Sequence, residues 1–184
     1  MDKLDVFEAD TIYHVYSHGN ANDLLFREKT NYVFFLERIK TYLLPICEIY
    51  AYCLIPNHFH LLLKLNENTD QQHSDLMKPF SNLLNSYAKA YNKKYGRKGA
   101  LFLDFIKRKR VENEKYLLKL LHYIHNNPVE HGLVAAADSW PYSSYNAYLE
   151  MKKKSNVSRD YMMSYFDDIS DFIAFHKSNI EYDF

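Results

Sequence analysis

The chain has 184 residues, 47% of them hydrophobic, which is enough for a substantial core within one domain. Its 23 lysines and arginines balance 23 aspartates and glutamates, so the total charge favours no class of partner. No apolar stretch reaches the roughly 18 residues that span a bilayer, and the acidic N-terminus is unlike a leader, so we expect a soluble, cytoplasmic protein with no membrane partner. The two cysteines, Cys47 and Cys53, fall on one predicted strand that holds them about 20 Å apart, which excludes a disulfide between them.

The first part of the chain predicts a strand followed by a helix. Residues 11–18 combine β-branched and aromatic side chains and end at Gly19, a pattern typical of a strand closed by a turn. From Glu28 to Leu44 apolar residues recur at helical spacing, and Pro45 ends this first helix.

A hairpin and a long helix are predicted next. Residues 46–55 and 58–65 have the composition of two strands, and the tight connection Pro56-Asn57 between them indicates that they pair. From Ser74 to Tyr95 an apolar stripe at helical spacing predicts a long second helix.

A basic strand and a third helix follow. Residues 101–106, continued by the basic run 107–111, suggest a fourth strand with positive charge at its end. Asn113 is a candidate N-cap for a helix from Glu114 to Asn126. We expect Pro128 to stop this helix, because proline lacks a backbone donor and disfavours helical geometry in the residue before it.

The order β-α-β-β-α-β, followed by a helix, predicts an α+β fold. It is that of a ferredoxin-like sandwich, with an antiparallel four-stranded sheet and helices on one face. A further helical pattern from Arg159 to His176 is expected to belong to a C-terminal helical extension that wraps the same core. We therefore predict a single domain over residues 1–184, with a core of about 11–150 and an extension of about 151–184.

The tripeptide His58-Phe59-His60 is the most informative pattern in the chain. Successive side chains of a strand point to opposite sides of the sheet, so the two imidazoles share one side while Phe59 anchors the other. Imidazoles about 7 Å apart along a strand can converge on one divalent ion if another element supplies a third ligand. The pattern predicts a metal site at the start of the third strand.

The third predicted helix carries a phenol and an amide on one side. Tyr123 and Asn127 are four residues apart, on a stripe next to the apolar stripe that faces the core. A phenol with its ordinary pKa of about 10 becomes an effective nucleophile when a cation or a base assists the loss of its proton. Metal, phenol and amide together indicate phosphoryl transfer through a tyrosine, which retains the energy of the phosphodiester and needs no nucleotide cofactor.

Basic side chains are concentrated in the middle of this neutral chain. We expect them to form a phosphate-contacting surface, with nearby aromatic side chains available to stack on bases. The predicted DNA-contacting residues are Lys93, Lys94, Arg97, Lys98, Lys107, Arg108, Lys109 and Arg110.

Several motifs in a fixed order resemble the single-tyrosine HUH transposases, and specifically the branch called REP-associated tyrosine transposases. HUH denotes His-hydrophobic-His. The matching stretches are Tyr13 to Tyr16, Ala51 to Leu62, Tyr95 to Gly99, Tyr123 to Val129, and Trp140 to Tyr145. They span most of residues 11–150, whereas the segment after about Met151 carries no matching motif.

The resemblance implies a ferredoxin-like nuclease domain that cuts and rejoins single-stranded DNA near hairpins, with Mg²⁺ or Mn²⁺ and a covalent 5′-phosphotyrosine. By position in the motifs, His58 and His60 correspond to the metal pair and Tyr123 to the nucleophile. Asn127 corresponds to the third metal ligand, where related insertion-sequence enzymes have a glutamine. Residues 103–106 depart from the Gln-Gly-Arg-Phe-type sequence of many relatives.

Other functions and assemblies stay open at the level of the sequence. One alternative is a non-catalytic protein of the same fold that binds single-stranded DNA hairpins. Another is a metal hydrolase that uses His58 and His60 to activate water. A monomer and a homodimer that exchanges helices are both open, as are a mobile-element role and a resident cellular role. We interpret the remaining histidines of these segments as packing residues: His14, His18, His122 and His125.

Overall fold

The sheet contains the strands β1 (Ile12–His18), β2 (Cys47–Ile55), β3 (His58–Leu65) and β4 (Lys107–Arg110). A computed structural model describes the chain over residues 5–20, 23–67, 71–103 and 105–182. The four strands are antiparallel and lie in the order β2-β3-β1-β4. β2 and β3 form the predicted hairpin, with Ile55 opposite His58 across the turn.

The fourth strand begins later than predicted. It comprises only the basic tetrapeptide 107–110, which pairs with residues 13–16 of β1. The segment before it is irregular where described, and Asp104 lies outside the described residues. Its backbone forms an isolated bridge at the C-terminal end of β1 instead of a ladder, with Phe102 opposite Gly19 and the Leu103 N–H donating to the carbonyl of His18 at 3.0 Å. The prediction of a strand over 101–106 was therefore wrong.

Helices α1 (Lys29–Tyr42) and α2 (His73–Lys94) pack against each other on one face of the sheet. The sheet contributes the buried side chains of Val15, Phe59 and Leu61 to this first core. Alternation along β1 and β3 explains why these residues share a face.

Helix α3 (Glu114–Glu130) lies on the opposite face, against β2 and β3. The buried residues Ala51, Cys53 and Leu62 form a second core with it. The predicted class, an α+β fold with a four-stranded antiparallel sheet and helices, is confirmed. The predicted placement of the helices on one face holds for α1 and α2. Helix α3 instead covers the other face, because β2 and β3 bury apolar side chains on both of their sides.

Helix α3 continues through Pro128, which was expected to stop it. Its start is as predicted, since the Asn113 side chain accepts a hydrogen bond from the Tyr116 N–H at 2.9 Å. Its end is at Glu130, two residues beyond the proline. Proline removes one backbone donor near the C-terminus, and this position tolerates the loss. Asn127 consequently stays helical, one turn beyond Tyr123 on the same side.

The segment after α3 follows the outer edge of β2. The Leu54 N–H donates to the carbonyl of Tyr142 at 3.0 Å, and the Ser144 N–H donates to the carbonyl of Tyr52 at 2.9 Å. The Trp140 indole N–H donates to the carbonyl of Leu54 at 2.9 Å. These bonds satisfy backbone groups of an edge strand that would otherwise be open to pairing with another chain.

Three short helices follow: α4 (Tyr145–Leu149), α5 (Arg159–Met163) and α6 (Ile169–Lys177). The helical pattern predicted from Arg159 to His176 is thus interrupted, and the Asp168 carboxylate caps α6 by accepting from two backbone N–H groups at 2.7 and 2.9 Å. Met162 and Phe172 join the second core. Among the helices of the described residues, none has the length and apolar character needed to cross a membrane.

Candidate nucleic-acid cleavage site

His58 and His60 begin β3 on the face that α3 covers. The centroids of their rings are 5.0 Å apart, and both residues are buried. Phe59 between them points into the first core, as the strand pattern predicted.

Tyr123 approaches the histidines from the helix layer. Its ring centroid is 5.2 Å from that of His60, at an interplanar angle of 77°. Asn127 is completely buried, and its amide is close enough to affect the pKa of both His58 and Tyr123. The structure therefore brings all four residues together at the boundary between α3 and the sheet.

Buried polar atoms without partners mark this boundary. Within the described residues, Nε2 of His60 and both amide atoms of Asn127 make no contact with hydrogen-bond geometry. Leaving such groups unsatisfied costs about 1–3 kcal/mol each, so their clustering at one point suggests an external partner. A cation accepts electron pairs from an imidazole nitrogen and from an amide oxygen.

The donor set fits a divalent metal ion. Nδ1 of His58 lies 2.9 Å from Oδ1 of Asn57, which leaves Nε2 of His58 available as a ligand. No group of three His, Cys, Asp or Glu side chains in the described residues is arranged to hold a metal. The candidate site contains two histidines, and the buried amide oxygen of Asn127 beside them is a candidate third protein ligand.

Burial sets the protonation of the site. It lowers the pKa of His58 to about 3 and moves the pKa of His60 well below its usual range, so both imidazoles are neutral and retain a lone pair at neutral pH. Burial raises the pKa of Tyr123, and the nearby Asn127 amide partly offsets this. The phenol is therefore protonated at neutral pH.

His14, interpreted above as a packing residue, contacts the site directly. Its Nε2 lies 2.9 Å from Nδ1 of His60, and the two rings stack with centroids 5.1 Å apart. A signal was present in the sequence, since His14, Tyr16 and His18 alternate along β1 and so share one face. The pairing of β1 with β3, which puts that face beside His58 and His60, was needed to interpret it.

The C-terminal segment also reaches the site. The ring centroid of Tyr182 is 5.0 Å from that of Tyr123, and its hydroxyl lies 2.7 Å from Nδ1 of His122. No motif or periodicity in the sequence after Met151 indicated this contact.

The basic tetrapeptide of β4 divides between the two faces of the sheet. Lys107 and Lys109 share the face of the site, and the Lys109 ammonium lies 5.0 Å from the ring centroid of Tyr116 on α3. On the other face, the Arg108 guanidinium lies over the ring of Phe7, and Arg110 pairs with Glu8 at 2.7 Å.

Two of the four basic residues near the end of α2 make ion pairs within the chain. Lys94 pairs with Glu28, and Arg97 pairs with Asp23. Lys93 and Lys98 are exposed. A contact of these four residues with DNA stays a prediction.

Two lysines that the sequence did not single out extend the basic surface beside β4. Lys115 and Lys119 lie one turn apart on α3 and line an open pocket of about 460 Å³ together with Lys109 and Tyr116. The available signal was the position of Lys119, three residues after Tyr116 and four before Tyr123.

Comparisons with known proteins agree with this architecture. A protein of Haemophilus influenzae, named "Putative REP-associated tyrosine transposase", is 35% identical over 105 residues, and the match covers 54% of this chain and 59% of that protein's length. A solved structure described as a REP-associated tyrosine transposase bound to a REP hairpin has a TM-score of 0.65 at 20% identity, covering 85% of this chain and 89% of its own. No family model matches the chain.

At 20% identity the solved structure supports the fold alone, and the curated relative is similar in sequence over 105 residues. The resemblance of this chain to the REP-associated tyrosine transposases is thereby confirmed.

Proposed function

We propose that this chain is a metal-dependent tyrosine transposase that cleaves and rejoins single-stranded DNA next to hairpins. The observation that carries the proposal is the 5.2 Å approach of Tyr123 to His60, beside the unpartnered Nε2 of His60 and amide of Asn127. The similarity to proteins named as transposases, one of them bound to a REP hairpin, supports the substrate class.

Tyr123 is the proposed nucleophile. Its Oη forms a bond to the phosphorus of the scissile phosphodiester while the bond from phosphorus to the 3′ oxygen breaks. The phenol gives up its proton and the 3′ oxygen gains one, so the products are a 5′-phosphotyrosine and a free 3′ hydroxyl. Attack by another 3′ hydroxyl reverses these steps and rejoins the strand.

His58, His60 and Asn127 are the proposed ligands of a divalent ion, Mg²⁺ or Mn²⁺. When bound, such an ion supplies positive charge to the phosphate and favours the phenolate. Two observations support this assignment: both imidazoles are neutral, and the Asn127 amide near the end of α3 is close to His58 and Tyr123.

Lys107 and Lys109 are the proposed contacts to DNA phosphates near the cleavage point, because they share the face of the site. Lys93 and Lys98, near the end of α2, are exposed and are also proposed to contact DNA phosphates. Lys94, Arg97, Arg108 and Arg110 make intramolecular contacts, and DNA would have to compete for them.

A covalent adduct tests the proposal. The protein is incubated with Mn²⁺ and hairpin-bearing single-stranded DNA that is labelled on the 3′ side of the cleavage point, and denaturing gels are examined for a labelled protein band. We expect this band with the unmodified chain and its loss in Tyr123→Phe, which removes only the nucleophilic oxygen. Tyr161→Phe, at an exposed tyrosine on α5, is the matched control and should retain the band.

The alternatives give different results in the same experiment. A non-catalytic hairpin-binding protein retards the DNA on native gels and gives no adduct with any substrate. A metal hydrolase cleaves the DNA equally well after Tyr123→Phe. Either result would contradict the tyrosine mechanism.

A further inference from the structure

Each histidine of the proposed metal pair has its Nδ1 atom occupied by a neighbouring side chain. For His58 the neighbour is Oδ1 of Asn57, and for His60 it is Nε2 of His14, each at 2.9 Å. In a neutral imidazole one nitrogen carries the proton and the other a lone pair, so a partner that accepts from Nδ1 leaves the lone pair on Nε2. The Nε2 atom of His60 is buried and has no partner within the described residues.

We propose that His14 is a positioning residue for metal binding, which accepts a hydrogen bond from Nδ1 of His60 and so fixes the tautomer and the ring orientation of that ligand. The inference rests on the proposed function and deepens it. His14 itself touches neither the metal nor the DNA.

The surroundings of His14 suit it to accept and not to donate. It is 5% exposed and lies opposite Lys109 in the β1–β4 register. Nε2 of His14 faces Nδ1 of His60 at 2.9 Å, and a neutral imidazole has one nitrogen lone pair to offer. If His14 donated instead, Nε2 of His60 would bear a buried proton with no acceptor among the described residues.

Ring contacts also fix the orientation of His60 relative to His14. The rings of His14, Tyr16 and His60 contact one another, with centroids 4.8 Å apart for His14 and Tyr16, 5.1 Å for His14 and His60, and 5.6 Å for Tyr16 and His60. β1 sets this arrangement, because Tyr16 and His60 are directly paired across the strands. The His60 ring therefore has its in-plane rotation fixed by one hydrogen bond and its tilt fixed by its neighbours.

Two substitutions at His14 separate positioning from packing. His14→Gln keeps a neutral acceptor on a side chain of similar reach, whereas His14→Phe keeps the flat ring and removes the acceptor. The dissociation constant for Mn²⁺ is measured without DNA, from the loss of the electron paramagnetic resonance signal of free Mn²⁺. We expect about 10- to 100-fold weaker binding for His14→Phe and binding within a few-fold of the unmodified chain for His14→Gln.

His60→Ala is the reference that separates this inference from the proposed function. It should abolish Mn²⁺ binding. If His60→Ala abolishes binding while His14→Phe leaves it unchanged, the positioning role is wrong and the metal site stands. If His60→Ala binds Mn²⁺ normally, the proposed metal site is wrong, and so is the positioning role of His14.

A spectroscopic test needs no substitution at His14. In ¹⁵N-labelled unmodified protein, long-range correlations between ring nitrogens and carbon-bound protons identify the tautomer of each histidine, and His60→Gln assigns the signals. We expect the proton of His60 on Nδ1, which is the less common tautomer of a free imidazole. A proton on Nε2 would overturn the proposal even if the His14 variants failed to fold.

Discussion

His176 lies in the buried contact between α6 and α3, where its Nδ1 donates to the carbonyl of Phe172 at 2.9 Å and its Nε2 lies 2.9 Å from Nδ1 of His125. Burial lowers its pKa to about 3, as it does for His14 and His58. In the unfolded chain each of these imidazoles has a pKa near 6.5. Between about pH 6.5 and 3, these histidines therefore bind protons in the unfolded chain but not in the folded protein.

This difference predicts how stability depends on pH. Below about pH 6.5 the unfolded chain takes up protons and the folded histidines do not, so the free energy of unfolding falls as the pH is lowered from 6.5 toward 3. Each histidine contributes at most about 1.4 kcal/mol per pH unit in that range. Urea unfolding at pH 7.0, 6.0 and 5.5 measures the slope before most carboxylates titrate.

His176→Phe is the comparison for this pH dependence. It should have a shallower slope than the unmodified chain, because one group that titrates only on unfolding is gone. Equal stability of the unmodified chain at pH 7.0 and 5.5 would contradict the prediction.

At the scale of elements, β4 is an edge strand whose alternation separates four basic residues onto two faces. Lys107 and Lys109 lie toward the site, where α3 adds Lys115 and Lys119, while Arg108 is held against the N-terminal segment. A run of four basic residues in sequence therefore presents half of its charge to the proposed DNA path.

Substitutions on the two faces of the sheet are expected to affect DNA binding differently. The double variant Lys107→Gln/Lys109→Gln should weaken binding of hairpin-bearing single-stranded DNA and reduce the salt dependence of the affinity. The slope of log affinity against log salt should decrease by about 0.7 for each single-strand phosphate that the variant no longer neutralises. Fluorescence anisotropy titrations over a series of salt concentrations measure this slope.

The double variant Lys29→Gln/Lys40→Gln controls for net charge, because both lysines are exposed on α1 across the sheet. It should leave the slope nearly unchanged. If both variants reduced the slope equally, the DNA would not be binding to the site face of β4.

At the scale of the molecule, buried polar contacts join the C-terminal segment to the core. Nδ1 of His125 on α3 lies 2.9 Å from Nε2 of His176 on α6, and the Asn126 side chain donates to the carbonyl of His176 at 3.1 Å. The Ser158 N–H donates to the carbonyl of Ile49 on β2 at 2.8 Å. We propose that the core and the extension form one folding unit, because separating them would leave these groups buried without partners.

A single unfolding transition would follow from this arrangement. The one tryptophan, Trp140, bonds to the edge of β2 and reports on that edge, while far-ultraviolet circular dichroism reports on all helices and strands. We expect both signals to change at the same urea concentration. An earlier change in Trp140 fluorescence would mean that the segment after α3 detaches from the edge of β2 before the rest of the chain unfolds, and would contradict a single folding unit.

Particular residues explain which predictions the sequence could support. The alternation around Phe59 and the helical period of α3 are local, so they placed His58, His60 and Tyr123 on the correct faces. The helix end predicted at Pro128 was wrong, because the sequence rules for proline do not take into account how close the proline lies to the C-terminus of the helix. The strand predicted over 101–106 was wrong because this segment forms only an isolated bridge at the end of β1 within the described residues, and no local pattern encodes that contact.

The sequence by itself determined the order of elements, the strand that carries both imidazoles and the helix that carries the phenol, because side-chain periodicity depends only on the backbone geometry of each element. Tertiary structure decided that α3 covers the histidine face, that β1 brings His14 to Nδ1 of His60, and that Tyr182 packs on Tyr123. Those contacts join residues from 46 to 63 positions apart in the chain, so they depend on strand register and layer packing instead of on local pattern.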